Sequence, residues 1–425
     1  MLLSDQLLKF HLFIYSKQEV EYYQRPAKCL TSPPPFALLI TERQETEGWR
    51  KTPQAPAEAR MQSVCYVRCV RRLWGPAQAS QILNVTNMHR SVCQLHHKKV
   101  MEDNKPWALI SEVGGQGYIE EVTDIMKQHF QIICHKDFLQ NPLLHGPKIQ
   151  AMFVWNALPA PEPALLSSLP SLKVVANGGV GIDHLDVSYI TSLGVKVTNT
   201  PGVVSNATAD IAMGLLLASA RNIVEGHQIS VNPNTTHTQC QMGVEVTGST
   251  LGIIGMGHIG CKIAQRGKGF DMKILYHNRS RRSVEDEQAV GASYHDNMDD
   301  LLKASDFVML AVNLTPETTG LISHRELSLM KPTATLVNIS RGLVVDQDAL
   351  VKALQSGTIR AAALDVTHPE PLPRDHPLLG LPNVLITPHI GTNTYTTTRR
   401  MVQRMVENAM AALKGQTIPN EVKPK

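Results

Sequence analysis

From Trp107 onward the chain alternates short apolar runs with longer stretches whose apolar positions recur at helical spacing. WALI (107–110), QIIC (131–134), AMFVW (151–155), LKVVA (172–176) and VKVTN (195–199) have strand length, and 119–130 and 164–169 read as helices between them. Strands that are apolar throughout, separated by helices, predict a parallel sheet covered on both faces. NATADIAMGLLLASAR (206–221) predicts a long helix capped by Asn206 or Thr208, with Asp210 near its positive end. Its apolar positions run almost all the way round, so it should be buried between layers or subunits. HQISVNPNTTHTQCQMG (227–243) reads as polar loop. A second series starts at Leu251, with LGIIG, MKILYH, FVMLAV, TLVNIS, AAALDV and VLIT as strands and 348–357 as a helix among them. A helix over 396–413 could pack back on the first series. Two such series predict an α/β fold of two doubly wound parallel-sheet domains.

Residues 1–100 show neither period. SPPPF, QETEGWRKTPQAPAEAR and QLHHKKV read as a poorly ordered N-terminal extension. They hold 14 Lys/Arg against 7 Asp/Glu, so the net charge of +4 conceals a remainder that is 3 negative. The basic surplus therefore describes a solvated tail, and nothing in the body points to nucleic acid. With 18% charged and 43% hydrophobic residues the chain is an ordinary globular one. No run approaches the ~20 apolar residues of a membrane span, and MLLSDQLLKFHLFIY lacks a cleavage site. Seven cysteines show no disulfide framework, and Cys65 and Cys69 fit zinc spacings poorly. No metal is expected, and a reducing, cytoplasmic setting is.

The chemistry begins at LGIIGMGHIGCKIA. Here G-x-G-x-x-G sits between a strand and a helix, where Gly255 permits the tight turn and Gly257 lets a pyrophosphate approach the backbone. Gly260 lets helix and strand pack closely, and the amides of His258 and Ile259 open the helix toward the anion. A second strand ends near residue 277, at the usual place for an acid that binds the adenosine ribose. The sequence there is Asn278, Arg279, Ser280. Asn does not repel an anion, Arg offers a fork of donors matching a phosphate, and Ser adds a hydroxyl. The set predicts a 2′-phosphate pocket and hence NADPH over NADH.

Three later segments carry groups suited to reducing a 2-keto acid. NISRG puts Arg341 after a buried strand, where a buried guanidinium can hold a carboxylate and polarise the neighbouring carbonyl. LDVTHPEPLP supplies Asp365 at a strand end and Glu370 in a Pro-rich loop, and ITPHIGTN supplies His389. A carboxylate paired with an imidazole fixes the ring and favours its protonated form, which makes a proton donor.

Together these segments resemble the D-isomer-specific 2-hydroxyacid dehydrogenase family, and within it the glyoxylate/hydroxypyruvate reductases. The resemblance runs from about residue 105 to 422 through GVGIDHLDV, the 206–221 helix, TGSTLGIIGMGHIG, NISRGLVVDQDALVKALQSG, AAALDVTHPEPLPRDHPLL and VLITPHIGTN. It implies a Rossmann cofactor domain (207–390) inserted into a discontinuous flavodoxin-like substrate domain (101–206 and 391–425), with 1–100 outside the family pattern. It implies His389 as acid/base, Glu370 as its partner, Arg341 as carboxylate anchor, and the backbone of Val180 and Gly181 as a second carboxylate site. Thr208, Asn313 and Ile339 match cofactor-contacting positions, and Asp365 would lie near the nicotinamide carboxamide or the histidine network. A homodimer using the 206–221 helix is implied as well. The alternatives are a dehydrogenase of another D-2-hydroxy acid or sugar-derived keto acid, or a dinucleotide-sensing corepressor-like binding protein. Two departures stand out: NTTHTQCQMGVEV lacks the Trp many relatives carry, and Asp271 stands where relatives often have Gly. Asp tolerates the left-handed backbone that position would require.

Overall fold

A computed structural model describes residues 105–115, 117–234 and 242–424, all within the unit Met88–Lys425. The expectation for 1–100 lies outside these residues. The first series forms β1 (Trp107–Ile110), β2 (Gln131–Cys134), β3 (Ile149–Val154), β4 (Val174–Asn177) and β5 (Lys196–Thr198). They pair in parallel in the order β2-β1-β3-β4-β5, the flavodoxin-like winding. Alternation along β1 shows why a continuous apolar run is needed. Ala108 and Ile110 face one core with Phe153 and Ala176, while Leu109 faces the other with Met152 and Val175.

The second series forms β6 (Thr250–Ile254), β7 (Lys273–His277), β8 (Ala292–Tyr294), β9 (Phe307–Leu310), β10 (Thr335–Asn338), β11 (Ala361–Leu364) and β12 (Val384–Ile386). Their order, β8-β7-β6-β9-β10-β11-β12, is the Rossmann winding with one added strand, and every pair is parallel. The chain then returns to the first sheet. β13 (Glu421–Val422) pairs antiparallel with β5, and Val402, Met405 and Ala409 of the final helix enter the core beneath β1 and β3.

Of the helices, α1 is Glu120–Lys127, α2 Ser205–Ala220, α3 Ile223–Val231, α4 His258–Lys268, α5 Val284–Val290, α6 Gln347–Gln355 and α7 Tyr395–Leu413. Helix α2 is buried against the cofactor sheet: Ala209, Ala212, Met213 and Leu216 pack with Ile253, Met309 and Val337. Three expectations about this region change. Val204 stands at the N-cap of α2 without a side-chain cap, because Thr208 lies inside the helix and bonds back to the Val204 carbonyl at 3.0 Å. Asp210 accepts from Arg266 Nε of α4 at 2.7 Å, an interhelical ion pair rather than a dipole partner. The stretch read as polar loop from His227 is helical through Val231, where Ile229 and Val231 continue the run begun at Ile223. Asp271 has φ 55, the left-handed backbone expected of it. Among the described residues no single helix is long and apolar enough to cross a membrane.

Candidate active site

Both sheets present the C-terminal ends of their strands to one cleft, the place where ligands collect in such sheets. At the end of β6, Gly255 (φ 104) lies so close to Ala311 that a Cβ would meet its carbonyl oxygen at 2.5 Å. A Cβ on Gly260 would meet the Gly255 oxygen at 2.2 Å, whereas Gly257 has open space before it. The amides of His258, Ile259 and Gly260 begin α4 with no acceptor among the described residues. An open glycine facing unspent amides at a helix N-terminus is a cradle that fits a pyrophosphate.

The ribose end is anchored back onto this turn. Asn278 Oδ1 accepts from the Met256 amide at 2.5 Å, and its carbonyl accepts from Tyr294 Oη at 3.2 Å. That leaves Nδ2 as a donor, the opposite polarity to the acid of an NAD site. The three arginines that follow differ. Arg281 donates from Nε and Nη2 to Glu287, both at 2.8 Å, and lies over the Tyr294 ring. Arg282 pairs with Asp286 at 2.7 Å, and its amide donates to Tyr276 Oη. Arg279 has no ion-pair partner among the described residues and is exposed beside Ser280. Asn313, also exposed, uses its carbonyl to hold Thr318. Thr208 and Ile339 are buried where α2 meets the end of β10.

At the reacting end, the loop after β4 spends the carbonyls of Gly179, Val180 and Gly181 and keeps two amides. Asn177 Nδ2 donates to the Gly181 carbonyl at 2.9 Å, Asn199 Nδ2 donates to the Val180 carbonyl at 2.9 Å, and the Gly179 carbonyl accepts from the Thr200 amide. The amides of Val180 and Gly181 have no acceptor among the described residues, which suits them to a carboxylate. Asn338 plays the matching part after β10. Its Oδ1 accepts from the amide and hydroxyl of Ser340, and its Nδ2 donates to the Arg341 carbonyl. Arg341 Nη1 donates to the Ser340 carbonyl at 2.8 Å, and Nε donates to Asp183 at 3.0 and 3.2 Å. The guanidinium lies against Gly181 so closely that a Cβ there would stand 1.7 Å from Nη2. Arg341 is thus half-buried rather than buried, with 28% of its side chain exposed.

His389 Nδ1 donates to Glu370 Oε2 at 2.9 Å, and both side chains reach the cleft at 46% and 38% exposure. Burial alone would raise the Glu370 carboxyl. The hydrogen bond and charge of His389, the Thr367 amide at 3.1 Å and the nearby Arg341 outweigh it and hold the carboxyl below its ordinary range. The Gln347 side chain clamps both groups of the His368 peptide, which fixes the loop carrying Glu370. Asp365, 2% exposed, works beneath the histidine. Its Oδ1 accepts from Thr387 Oγ1 and the Ile390 amide, its Oδ2 from the Gly391 amide, and its carbonyl from the His389 amide. These four bonds hold His389 at φ 52, a backbone that a non-glycine residue keeps only when its surroundings fix it. Asp365 is thereby bonded to the backbone of the loop that carries His389. Sequence reasoning passed over Asn177, Asn338 and Asp183. An apolar strand ending in Asn is the one signal that could have marked the first two.

The family model for the D-isomer specific 2-hydroxyacid dehydrogenase NAD-binding domain matches residues 213–391. The chain is 47% identical over 264 residues to the glyoxylate reductase of Aeropyrum pernix, covering 61% of this chain and 78% of that one. It is 45% identical over 307 residues to the glyoxylate reductase of Thermococcus onnurineus, covering 70% and 91%. The NADPH-dependent glyoxylate/hydroxypyruvate reductase of Sinorhizobium meliloti, solved with NADP and malonate, superposes with a TM-score of 0.65 at 30% identity, covering 75% and 96%.

Proposed function

Because the chain belongs to the D-isomer specific 2-hydroxyacid dehydrogenase family, we propose that it reduces glyoxylate and hydroxypyruvate to glycolate and D-glycerate with NADPH as the preferred donor. The observation that carries the reading is the convergence of Arg341, the unspent Val180 and Gly181 amides, and the His389–Glu370 pair on one cleft. The relatives named glyoxylate reductase support the substrate class.

A bound nicotinamide supplies a hydride to the carbonyl carbon of the keto acid. Arg341 Nη2 and the two loop amides bind the substrate carboxylate and so place the carbonyl beside the histidine. His389, its Nδ1 committed to Glu370, uses Nε2 to give a proton to the carbonyl oxygen as negative charge develops there. Glu370, held ionised, accepts from Nδ1 and keeps the ring in that orientation. The cradle of Gly257, His258, Ile259 and Gly260 takes the pyrophosphate, and Asn278 Nδ2, Arg279 and Ser280 take the 2′-phosphate. That Arg279 has no ion-pair partner among the described residues, beside two arginines that are paired, supports NADPH over NADH. Helix α3 supports a homodimer: none of its residues is buried, and Ile223, Val224 and Val231 are exposed on it.

Steady-state rates with NADPH and NADH against glyoxylate, hydroxypyruvate and larger 2-keto acids test this directly. The expected result is turnover of the two small acids with kcat/KM at least about tenfold higher for NADPH. Absence of turnover with every 2-keto acid overturns the enzymatic reading. Equal kcat/KM for both cofactors overturns the NADPH preference alone.

A further inference from the structure

Asp183 has no part in the reaction as set out above, yet its carboxylate reaches from the loop of one sheet to Arg341 at the strand end of the other, 158 residues along the chain. A guanidinium carries five N–H donors in a fixed plane. Asp183 takes Nε at 3.0 and 3.2 Å, and the Ser340 carbonyl takes one Nη1 hydrogen at 2.8 Å. Nη2 has no acceptor among the described residues and lies flush against Gly181, one of the two residues whose amides are unspent. Holding a planar group at two of its three nitrogens fixes both its position and its rotation. The third nitrogen is thereby presented beside the loop amides. The Asp183 end is fixed in turn. Asn177, 1% exposed, accepts from His184 Nε2 at 2.9 Å and ties the Gly181 carbonyl, bracing the loop on both sides of Asp183.

We infer that Asp183 is a positioning residue for the keto acid: it aims Arg341 so that Nη2 and the Val180 and Gly181 amides form one carboxylate site across the two domains. The inference rests on the reading of Arg341 as substrate anchor. Its weight falls on binding rather than on stability. The Arg341–Asp183 pair is 28% and 25% exposed, a setting in which ion pairs contribute little to folding. A substrate carboxylate meeting a guanidinium free to rotate must order it first, and that cost appears in the affinity for the keto acid.

The test measures kcat and KM for glyoxylate at saturating NADPH, with cofactor affinity and melting temperature, for wild type, D183A, D183N and R341A. D183A is expected to raise KM about 10- to 100-fold with kcat within a few-fold and cofactor affinity unchanged. D183N keeps an acceptor for Nε, so its KM should fall between wild type and D183A. Should D183A fail to fold, D183N with a raised KM and an unchanged melting temperature still supports the assignment. A KM within about twofold of wild type in both variants overturns it. So does a loss of cofactor affinity and melting temperature in step with KM, which marks a merely structural role. R341A reads the underlying premise separately: full activity there refutes the anchor, whereas its loss beside an unaffected D183A refutes only the positioning role.

Discussion

The two ends of the cleft are built in opposite ways. The pyrophosphate turn and ribose loop of the dinucleotide end lie within one unbroken stretch, from the turn at Gly255 through β7 and α5 to Tyr294, and their bonds join groups within it: Met256 to Asn278, Arg281 to Glu287. The reacting end is assembled from four loops on two sheets, with Arg341 bound to Asp183 and His389 hung from Asp365 and Glu370. The side-chain bonds that shape the first end all close within that stretch. The second exists only when both sheets are in place. The proposed discrimination between cofactors would therefore rest on local chain, and the proposed catalysis on topology.

The sharpest way to separate the two ends is at the histidine. H389A removes the proton donor and leaves the 255–294 stretch intact. It should lower kcat by about 10²- to 10⁴-fold while NADPH affinity stays near wild type. Stopped-flow binding beside steady-state rates reads both quantities, and a variant with full activity removes His389 from the mechanism. The converse change is R279A. It should raise the KM for NADPH about 10- to 100-fold, leaving NADH kinetics and the rate of the chemical step alone. An equal loss for both cofactors would refute the phosphate reading and show that the loop is needed only to hold a dinucleotide.

The same contrast explains what could be read in the sequence. The parallel sheets, their strands and the Gly-rich turn were legible because each depends on a period or a motif confined to a few residues. Arg341, Glu370 and His389 were legible as chemistry at strand ends, and so was the pairing of Glu370 with His389, but the partner of Arg341 was not. Nothing in the spacing of Asp183 and Arg341 shows that they meet, since the meeting depends on how one sheet is wound against the other. Asn177 and Asn338 looked like the ends of strands, and their roles follow from loop hydrogen bonds that no period encodes. The expected cap of α2 failed for a simpler reason. The helix begins at Ser205, before both Asn206 and Thr208, and residue preferences place a helix end only to within a residue or two. Arg279 was picked out in sequence by its place beside Asn278, but the ion pairs of Arg282 with Asp286 and Arg281 with Glu287 were not.

That acid gives the mildest test and the one most specific to the local end. Glu287 is 8% exposed and accepts from Arg281 and, at 2.6 Å, from Tyr276 Oη. The hydrogen bond from Arg281 and then that from Tyr276 hold its carboxyl down to about 2, against the opposing effect of burial. Burial first, then the bond to Glu287, pushes the Tyr276 phenol up to about 12. A depressed carboxyl stabilises the fold above its ordinary titration range, and that contribution fades as pH falls from about 4.5 toward about 2. E287Q should therefore melt below wild type at pH 7, with the gap closing as pH falls through that window. A gap that stays constant with pH, or widens in acid, would show that the charge on Glu287 is not what the loop depends on. Since the loop presents Arg279 and Ser280, the same variant should raise the KM for NADPH by less than R279A does. Because nothing in the 278–287 stretch touches Arg341 or His389 in this structure, kcat should be unchanged. A fall in kcat at saturating cofactor would mean that the two ends are coupled after all, and the division between local specificity and assembled catalysis would have to be given up.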